Sequence, residues 1–427
     1  MLNCGFAKRT IGLYLTVGIV IVMLFCSCAP KSDFVELPDS EGWCRTWGTV
    51  MSPDEEEGQS SAASVIRNAT CRQVIRSSIG GSRIRLTFSN EYGDIPLVIE
   101  RASIARLVNP GSPELEAEGG SAAITFYGSE SVTVPAGETV VSDELFFEVE
   151  ALESLAVSIY VGDYTGGTVT LHDGADTTSW IVKGDCVDDG QLYGVKLSSS
   201  WYYLSGLDIW SKEGTRAVAV IGDSISAGEL TSIDRYMSWP CQLSGLINQG
   251  EYSGRLSLVN LSGFETLTEN GKLSQRIKEQ LLSVPGLRYV ILSVGINDIG
   301  SAQADISQSM IEAYGELVSL CHQNGIRVYC QTLTPVGGNF YYSELHEKIR
   351  GTINRFIRDE TSPFDGVLDF AAVLSSEEDS SRIRDEYNPS APDYLHPGDA
   401  GHTAMSEYAY SSLLSFISEA SDAESEE

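Results

Sequence analysis

The sequence predicts a chain in two folded parts: an all-β, sandwich-like region, then an α/β domain layered on a parallel sheet. Two observations carry this. Over residues 43–211 apolar and polar residues alternate with period 2 in short runs split by turn signals, as in Arg83-Ile84-Arg85-Leu86-Thr87-Phe88. From Arg216 onward the pattern changes to short, wholly apolar runs separated by helical segments, which is how strands buried on both faces of a layered sheet read.

The N-terminus comes first in order. Lys8 and Arg9 precede an uncharged apolar stretch from Ile11 to Phe25, the order of an export signal. The run continues as Cys26-Ser27-Cys28-Ala29-Pro30. A small residue followed by Cys at the end of such a run resembles the lipobox of bacterial lipoproteins, which implies removal of residues 1–27 and lipidation of Cys28. An uncleaved membrane anchor and simple secretion are the alternatives, and all three place the body outside the cytoplasm. Residues 28–42 are short, polar and Pro-containing, and read as a tether.

Within the β region, Leu145, Phe147 and Val149, and then Leu155, Val157, Ile159 and Val161, mark further alternating strands. Ser89–Asp94 and Pro135–Glu138 mark turns. Trp201, Tyr202, Tyr203 and Trp210 cluster near the domain junction, where core packing is the default and stacking on sugars the alternative. In the α/β domain, 215–418, strands are expected at Ala217–Ile221, Leu256–Leu261, Tyr289–Val294, Ile326–Leu333 and Val367–Phe370. Helices are expected at Ser307–Gln323, Ser343–Arg358 and about Asp399–Glu419. Residues 419–427 read as an acidic, disordered tail.

Composition narrows the function. The 427 residues hold 28 Lys plus Arg against 59 Asp plus Glu, a formal charge of -31, so nucleic acid and anionic membrane surfaces would be repelled. A membrane contact is expected only through the N-terminal lipid or anchor. Cys44, Cys71, Cys186, Cys241, Cys321 and Cys330 show no CxxC spacing, and no particular disulfide is predicted. No metal and no cofactor are expected; His172, His322 and His346 have no neighbours at ligand spacing, and His402, on the last helix, reads as structural or lid-forming.

Ligands of open α/β sheets bind outside the carboxyl ends of the strands. The first strand runs into Gly222-Asp223-Ser224, the second into Asn260-Leu261-Ser262-Gly263, and the third into Gly295-Ile296-Asn297-Asp298. A late loop carries Asp393-Tyr394-Leu395-His396-Pro397. That set suffices for acyl transfer. A Ser hydroxyl needs a base, for which His396 is available. The imidazole needs an acceptor to fix its tautomer, for which Asp393 is three residues away. The oxyanion needs donors, for which the Ser224 N–H, an N–H near Ser262 or Gly263, and the Asn297 side-chain amide are candidates.

These separated motifs resemble those of the SGNH (GDSL) hydrolases, esterases and lipases with a flavodoxin-like three-layer α/β/α fold. Trp239-Pro240, Thr332 to Gly338, Asp369-Phe370 and His396 to Gly401 look like the branch with secreted xylan-esterase-like members, and Arg72 to Gly93 looks like the β domain that precedes the hydrolase in part of that branch. The resemblance implies Ser224 as nucleophile, His396 as base, Asp393 as its orienting acid and Asn297 as oxyanion donor. One position departs. Where the family places a glycine two residues after the second-motif Asn, this chain has Ser262, so either the register shifts to Gly263 or the hole is crowded. The expectation is an extracytoplasmic ester hydrolase removing small acyl groups, acetyl above all, from acylated carbohydrate. A lysophospholipase or short-chain lipase, an acyltransferase, and a carbohydrate-binding lipoprotein with a decayed catalytic domain are the alternatives.

Overall fold

Between Gly42 and Ser211 the alternation is realised as two main antiparallel sheets that share a core. The computed structural model describes residues 41–54, 62–117, 120–163, 167–263 and 265–425. The expected export segment, Cys28 and the tether up to residue 40 lie outside the described residues, and the first strand already begins at Gly42. One sheet has the order Gly42–Gly48, Leu204–Ser211, Gly81–Ser89, Thr139–Val141, with Leu145–Val149 also pairing with Gly81–Ser89. The other has the order Lys196–Ser198, Ser179–Lys183, Ala69–Arg76, Ser154–Val161, Leu97–Arg106, Ser121–Ile124, with Val132–Val134 on Leu97–Arg106.

The period-2 pattern at Arg83–Phe88 holds: Ile84, Leu86 and Phe88 are fully buried, while Arg83, Arg85 and Thr87 face outward and are half-buried. Strands Ala69–Arg76 and Ser154–Val161 are instead buried on both faces. Val74 and Ala156 form a second small core with Leu107, Leu115, Trp180 and Leu192 on the outer side of their sheet. The aromatic group near the junction is packed rather than open. Tyr202 and Tyr203 are buried, Trp201 packs edge-on against Trp47 and donates from Nε1 to the Val74 carbonyl, and Trp210 meets Trp43 at 5.5 Å.

From Arg216 the five strands Leu256–Ser262, Arg216–Gly222, Leu287–Ser293, Arg327–Gln331 and Gly366–Leu368 lie in that order, all parallel. Numbered along the chain this is 2-1-3-4-5, the flavodoxin-like order, whose switch point falls between the first and third strands. Ala217–Ile221 are fully buried, as a central strand covered on both faces requires. Helices Trp239–Gln249 and Asp399–Ser425 pack together. Ser307–Gln323 and Glu344–Arg358 form the other pair, on the opposite face by the right-handed rule for crossovers. Ser343 caps its helix by accepting from the His346 N–H. The last helix corrects an expectation: it runs on through Ser425, so residues 419–425 extend it rather than forming a disordered tail. Ala and Glu are good helix formers, and neither Gly nor Pro interrupts the stretch.

The two domains share one core, which runs from Ile84 and Leu207 to Val259 and Leu292. Strand Gly42–Gly48 packs along the edge strand Leu256–Ser262, where a Cβ on Gly48 would sit 3.1 Å from Val259 Cγ1. Polar bonds cross the same boundary: the Arg45 N–H donates to the Pro285 carbonyl at 3.0 Å, Ser78 Oγ and Ser257 Oγ are 2.8 Å apart, and Asn248 Nδ2 donates to the Ser78 carbonyl at 2.8 Å. The six cysteines of the described residues are thiols, with Cys321 and Cys330 fully buried.

A charge triad around a buried acid spans three strands of the first sheet. Asp208, 1% exposed, stands opposite Arg45 on one neighbouring strand and Arg85 on the other. Its carboxylate pairs with both, the Arg85 Nε contact being 3.0 Å. Removing the shared acid leaves guanidinium charge in a desolvated place without its counter-ion. Asp208→Ala is therefore expected to lower stability by roughly 3–5 kcal/mol, read as a lower urea midpoint at unchanged slope; a midpoint within error of wild type would contradict it.

Candidate active site

The nucleophile candidate sits where the central strand stops. Asp223 caps the short helix Ser224–Ala227, its carboxylate accepting the Ile225 N–H at 3.1 Å. The helix ends at Gly228, whose φ of 107° lies in the left-handed region that glycine enters at no steric cost. Ser226, within the helix, contacts Ser293 Oγ and accepts from Trp239 Nε1 at 3.1 Å. Trp239 is fully buried and edge-on to Phe370 at 5.1 Å. These contacts hold Ser224 at the carboxyl edge of the sheet, 6% exposed.

His396 reaches the same edge from the far loop. Ser224 Oγ lies 2.8 Å from His396 Nε2, and His396 Nδ1 lies 2.5 Å from Asp393 Oδ2. The other Asp393 oxygen accepts the backbone N–H groups of Leu395 and His396, both at 2.9 Å. Burial pushes the Asp393 carboxyl up, but these two N–H groups and the imidazole outweigh it and hold it below the usual range. A carboxylate on Nδ1 fixes the tautomer in which Nε2 has a free lone pair toward the hydroxyl. Asn339 Nδ2 donates to the Asp393 carbonyl at 2.7 Å and steadies the loop.

Asn297 lies on helix Ile296–Ser301 after the third strand. One of its amide hydrogens goes to the Glu265 carbonyl at 3.0 Å, and its oxygen accepts from the Tyr341 hydroxyl at 3.2 Å. The two contacts settle which end of the amide is nitrogen, because a carbonyl can only accept. They leave the second N–H to point one way.

The neighbourhood of the second strand differs from expectation. Gly263 does not offer a free donor, because its N–H is spent on the Gly222 carbonyl at 3.1 Å, continuing the ladder that pairs Gly222 with Ser262. The glycine serves packing instead: a Cβ there would stand 2.9 Å from Val50 Cγ2 of the β domain. Ser262 is 2% exposed, and its Oγ lies where a Cβ on Gly222 would come within 2.6 Å. Its hydroxyl is packed beside the nucleophile strand, so the serine crowds Gly222. N–H directions alternate along a strand, which turns the Ser262 N–H toward the open edge of the sheet. Of the four candidate donors, the Ser224 N–H and the second Asn297 amide hydrogen are left.

Two residues at this site escaped the sequence reading. Glu265 contributes a carbonyl, and a backbone group carries no side-chain signal. Tyr341 contributes a hydroxyl; its signal is the polar, glycine-containing loop Gly337-Gly338-Asn339 just before it. His402 is structural: it is fully buried and its Nδ1 accepts the Trp239 N–H at 3.1 Å. Burial lowers its pKa to about 3, and it stays neutral. His172 donates from Nδ1 to the Val50 carbonyl at 2.8 Å, and His322 pairs with Asp365. No cluster of three or more His, Cys, Asp or Glu residues able to hold a metal occurs among the described residues.

The described residues thus hold an α/β sheet with a Ser-His-Asp chain across its carboxyl edge. Residues 220–404 match the model of the GDSL-like Lipase/Acylhydrolase family. No curated protein matches the chain. Solved structures similar to it include a family two carbohydrate esterase from Clostridium thermocellum (12% identity, 90% of this chain and 99% of that one, TM-score 0.35). A carbohydrate acetylesterase family member from Sinorhizobium meliloti also aligns (13% identity, 48% and 100%, TM-score 0.37), as does a psychrotrophic esterase from Pseudoalteromonas (16% identity, 48% and 99%, TM-score 0.34).

Two acids near the nucleophile set a pH dependence of stability. Burial raises Asp223 to about 7 and Asp176, which lines an interdomain cavity of about 80 Å³, to about 8, the nearby Glu229 adding to the latter. Both hold a proton in the folded chain where the unfolded carboxyl has lost it. Their contribution is complete below the unfolded pKa of 3.8 and is lost as pH rises through about 7 to 8. Asp176→Asn is expected to flatten the fall in thermal midpoint between about pH 5 and pH 9; identical slopes in variant and wild type would refute this origin.

Proposed function

We propose that this protein is a serine carboxylic-ester hydrolase working through an acyl-serine intermediate. The observation that carries the proposal is the unbroken chain Ser224 Oγ, His396 Nε2, His396 Nδ1, Asp393 Oδ2, with links of 2.8 and 2.5 Å. His396 takes the Ser224 proton as Oγ attacks the ester carbonyl. Asp393, held ionised, stabilises the imidazolium that results. The tetrahedral oxyanion forms against the Ser224 N–H and the unspent Asn297 N–H, which cost no reorganisation because Glu265 and Tyr341 have already aimed the amide. Collapse passes the proton from His396 to the leaving alcohol. Water, activated by the same imidazole, then attacks the acyl-serine and releases the acid.

The substrate reading follows from the motif resemblance to xylan-esterase-like members: small acyl groups, acetyl above all, on carbohydrate. The apolar stretch Ile11–Phe25 ending at Cys28 supports a lipid-anchored enzyme on the outer face of the cell membrane. A bond-length contact between Ser224 and His396 counts against a decayed catalytic domain.

The test is hydrolysis of p-nitrophenyl acetate, butyrate and octanoate by residues 29–427. Acetate is expected to be preferred, and Ser224→Ala to lower its turnover by about 10³-fold or more. Turnover equal in wild type and Ser224→Ala would end the proposal, and an octanoate preference would turn it toward a lipase. Asn297→Ala is expected to cost roughly 10²–10³ in kcat with little change in KM; a loss confined to KM would mean that the amide binds substrate rather than the oxyanion.

A further inference from the structure

One side chain of the hydrolase domain ties the β domain to the oxyanion side of the site. Arg276, on helix Gln275–Leu282, places Nε 3.1 Å from Glu265 Oε1 and donates from Nη2 to the Met51 carbonyl of the β domain. Its guanidinium also lies 5.8 Å over the ring of Tyr92 from the same domain. Glu265, 4% exposed, accepts a further bond from Gln280 Nε2 at 3.3 Å, and its own carbonyl accepts the Asn297 amide. The far end of this loop is tied separately, the Leu267 and Thr268 N–H groups donating to Asp298 at 2.8 Å. Val50 of the β domain presses on Gly263 at the near end.

We infer that Arg276 is a positioning residue for the reaction: it ties the β domain to the Glu265 loop and through it fixes the Asn297 oxyanion amide. The inference rests on the ester-hydrolase reading for its kinetic consequence, though not for the geometry itself. A guanidinium suits the task because its planar fork can serve a carboxylate and a carbonyl at once, in directions that cannot rotate independently. Burial pushes the Glu265 carboxyl up and the Arg276 guanidinium opposes this, so the acid and its partner are bound to each other where water is excluded, and the pair holds the loop backbone. The carbonyl that orients Asn297 belongs to this same residue. Moving the loop by a fraction of its bond length therefore redirects the donor, and donor misplacement is what oxyanion stabilisation tolerates least. The β domain thereby acquires a role in turnover that does not require it to bind sugar.

The test is a double-mutant cycle with Arg276→Ala and Asn297→Ala on p-nitrophenyl acetate, with hydrogen exchange of the Asn297 side-chain amide followed by NMR. Arg276→Ala is expected to lower kcat roughly 10- to 100-fold with KM nearly unchanged. It is expected to cost about twofold or less in the Asn297→Ala background, and to speed exchange of the amide about tenfold or more. Unchanged kcat, an equal loss in both backgrounds, or unchanged exchange would overturn the inference. Should Arg276→Ala fail to fold, Glu265→Gln keeps the shape, removes the charge pair and is read by the same criteria. The exchange measurement needs no turnover, so a protein without esterase activity would defeat the functional reading while still deciding this one.

Discussion

The oxyanion side of the site rests on one packing contact, that of strand Gly42–Gly48 along the edge strand Leu256–Ser262. An exposed sheet edge offers unpaired backbone groups and a mobile following loop. Here the edge strand belongs to a core continuous across both domains, and Ser257 Oγ, near its start, bonds both Ser78 and the Arg45 carbonyl. The loop that leaves this strand carries Gly263 and Glu265. Its starting point is therefore set by the β domain before any catalytic residue is considered.

Beside it the Ser-His-Asp chain is assembled from parts that are far apart in sequence. Ser224 comes from the first strand, Asn297 from the third, and Asp393 and His396 from a loop just before the last helix. Each is held by backbone bonds: Asp393 by two N–H groups of its own loop, Asn297 by a carbonyl, Ser224 by the capped turn beneath it. Backbone partners cannot be moved by rotamer changes, which is how such a site keeps its geometry between turnovers. Asn339 and Tyr341, on one loop after the fourth strand, touch the Asp393 carbonyl and the Asn297 amide respectively, so the base side and the oxyanion side share a brace.

Much of this was legible in the chain. Apolar runs of period 1 and period 2 separate the parallel sheet from the sandwich because burial on two faces and on one face demand different sequences. Ala217–Ile221 and Arg83–Phe88 are clean cases. Ser224, Asn297, Asp393 and His396 stood out because each polar residue closes an apolar run or opens a loop. The second strand was harder. Whether Gly263 lends its N–H to the hole or to the ladder depends on where pairing stops, which is a matter of register and not of residue type. Its need for glycine comes from Val50, more than two hundred positions earlier. The Arg45–Asp208–Arg85 triad and the Arg276–Glu265 link likewise join residues that local pattern cannot pair. The extended last helix shows the reverse error, a charged, serine-containing end read as a tail although its residues sustain helix.

The most direct measurement is intact-mass analysis followed by peptide mapping of the protein quenched in acid during turnover of p-nitrophenyl acetate. The account predicts one acetyl group per chain, on the peptide that carries Ser224, absent from Ser224→Ala. Acetyl on another residue, or full turnover by Ser224→Ala with no acyl-protein, would contradict it.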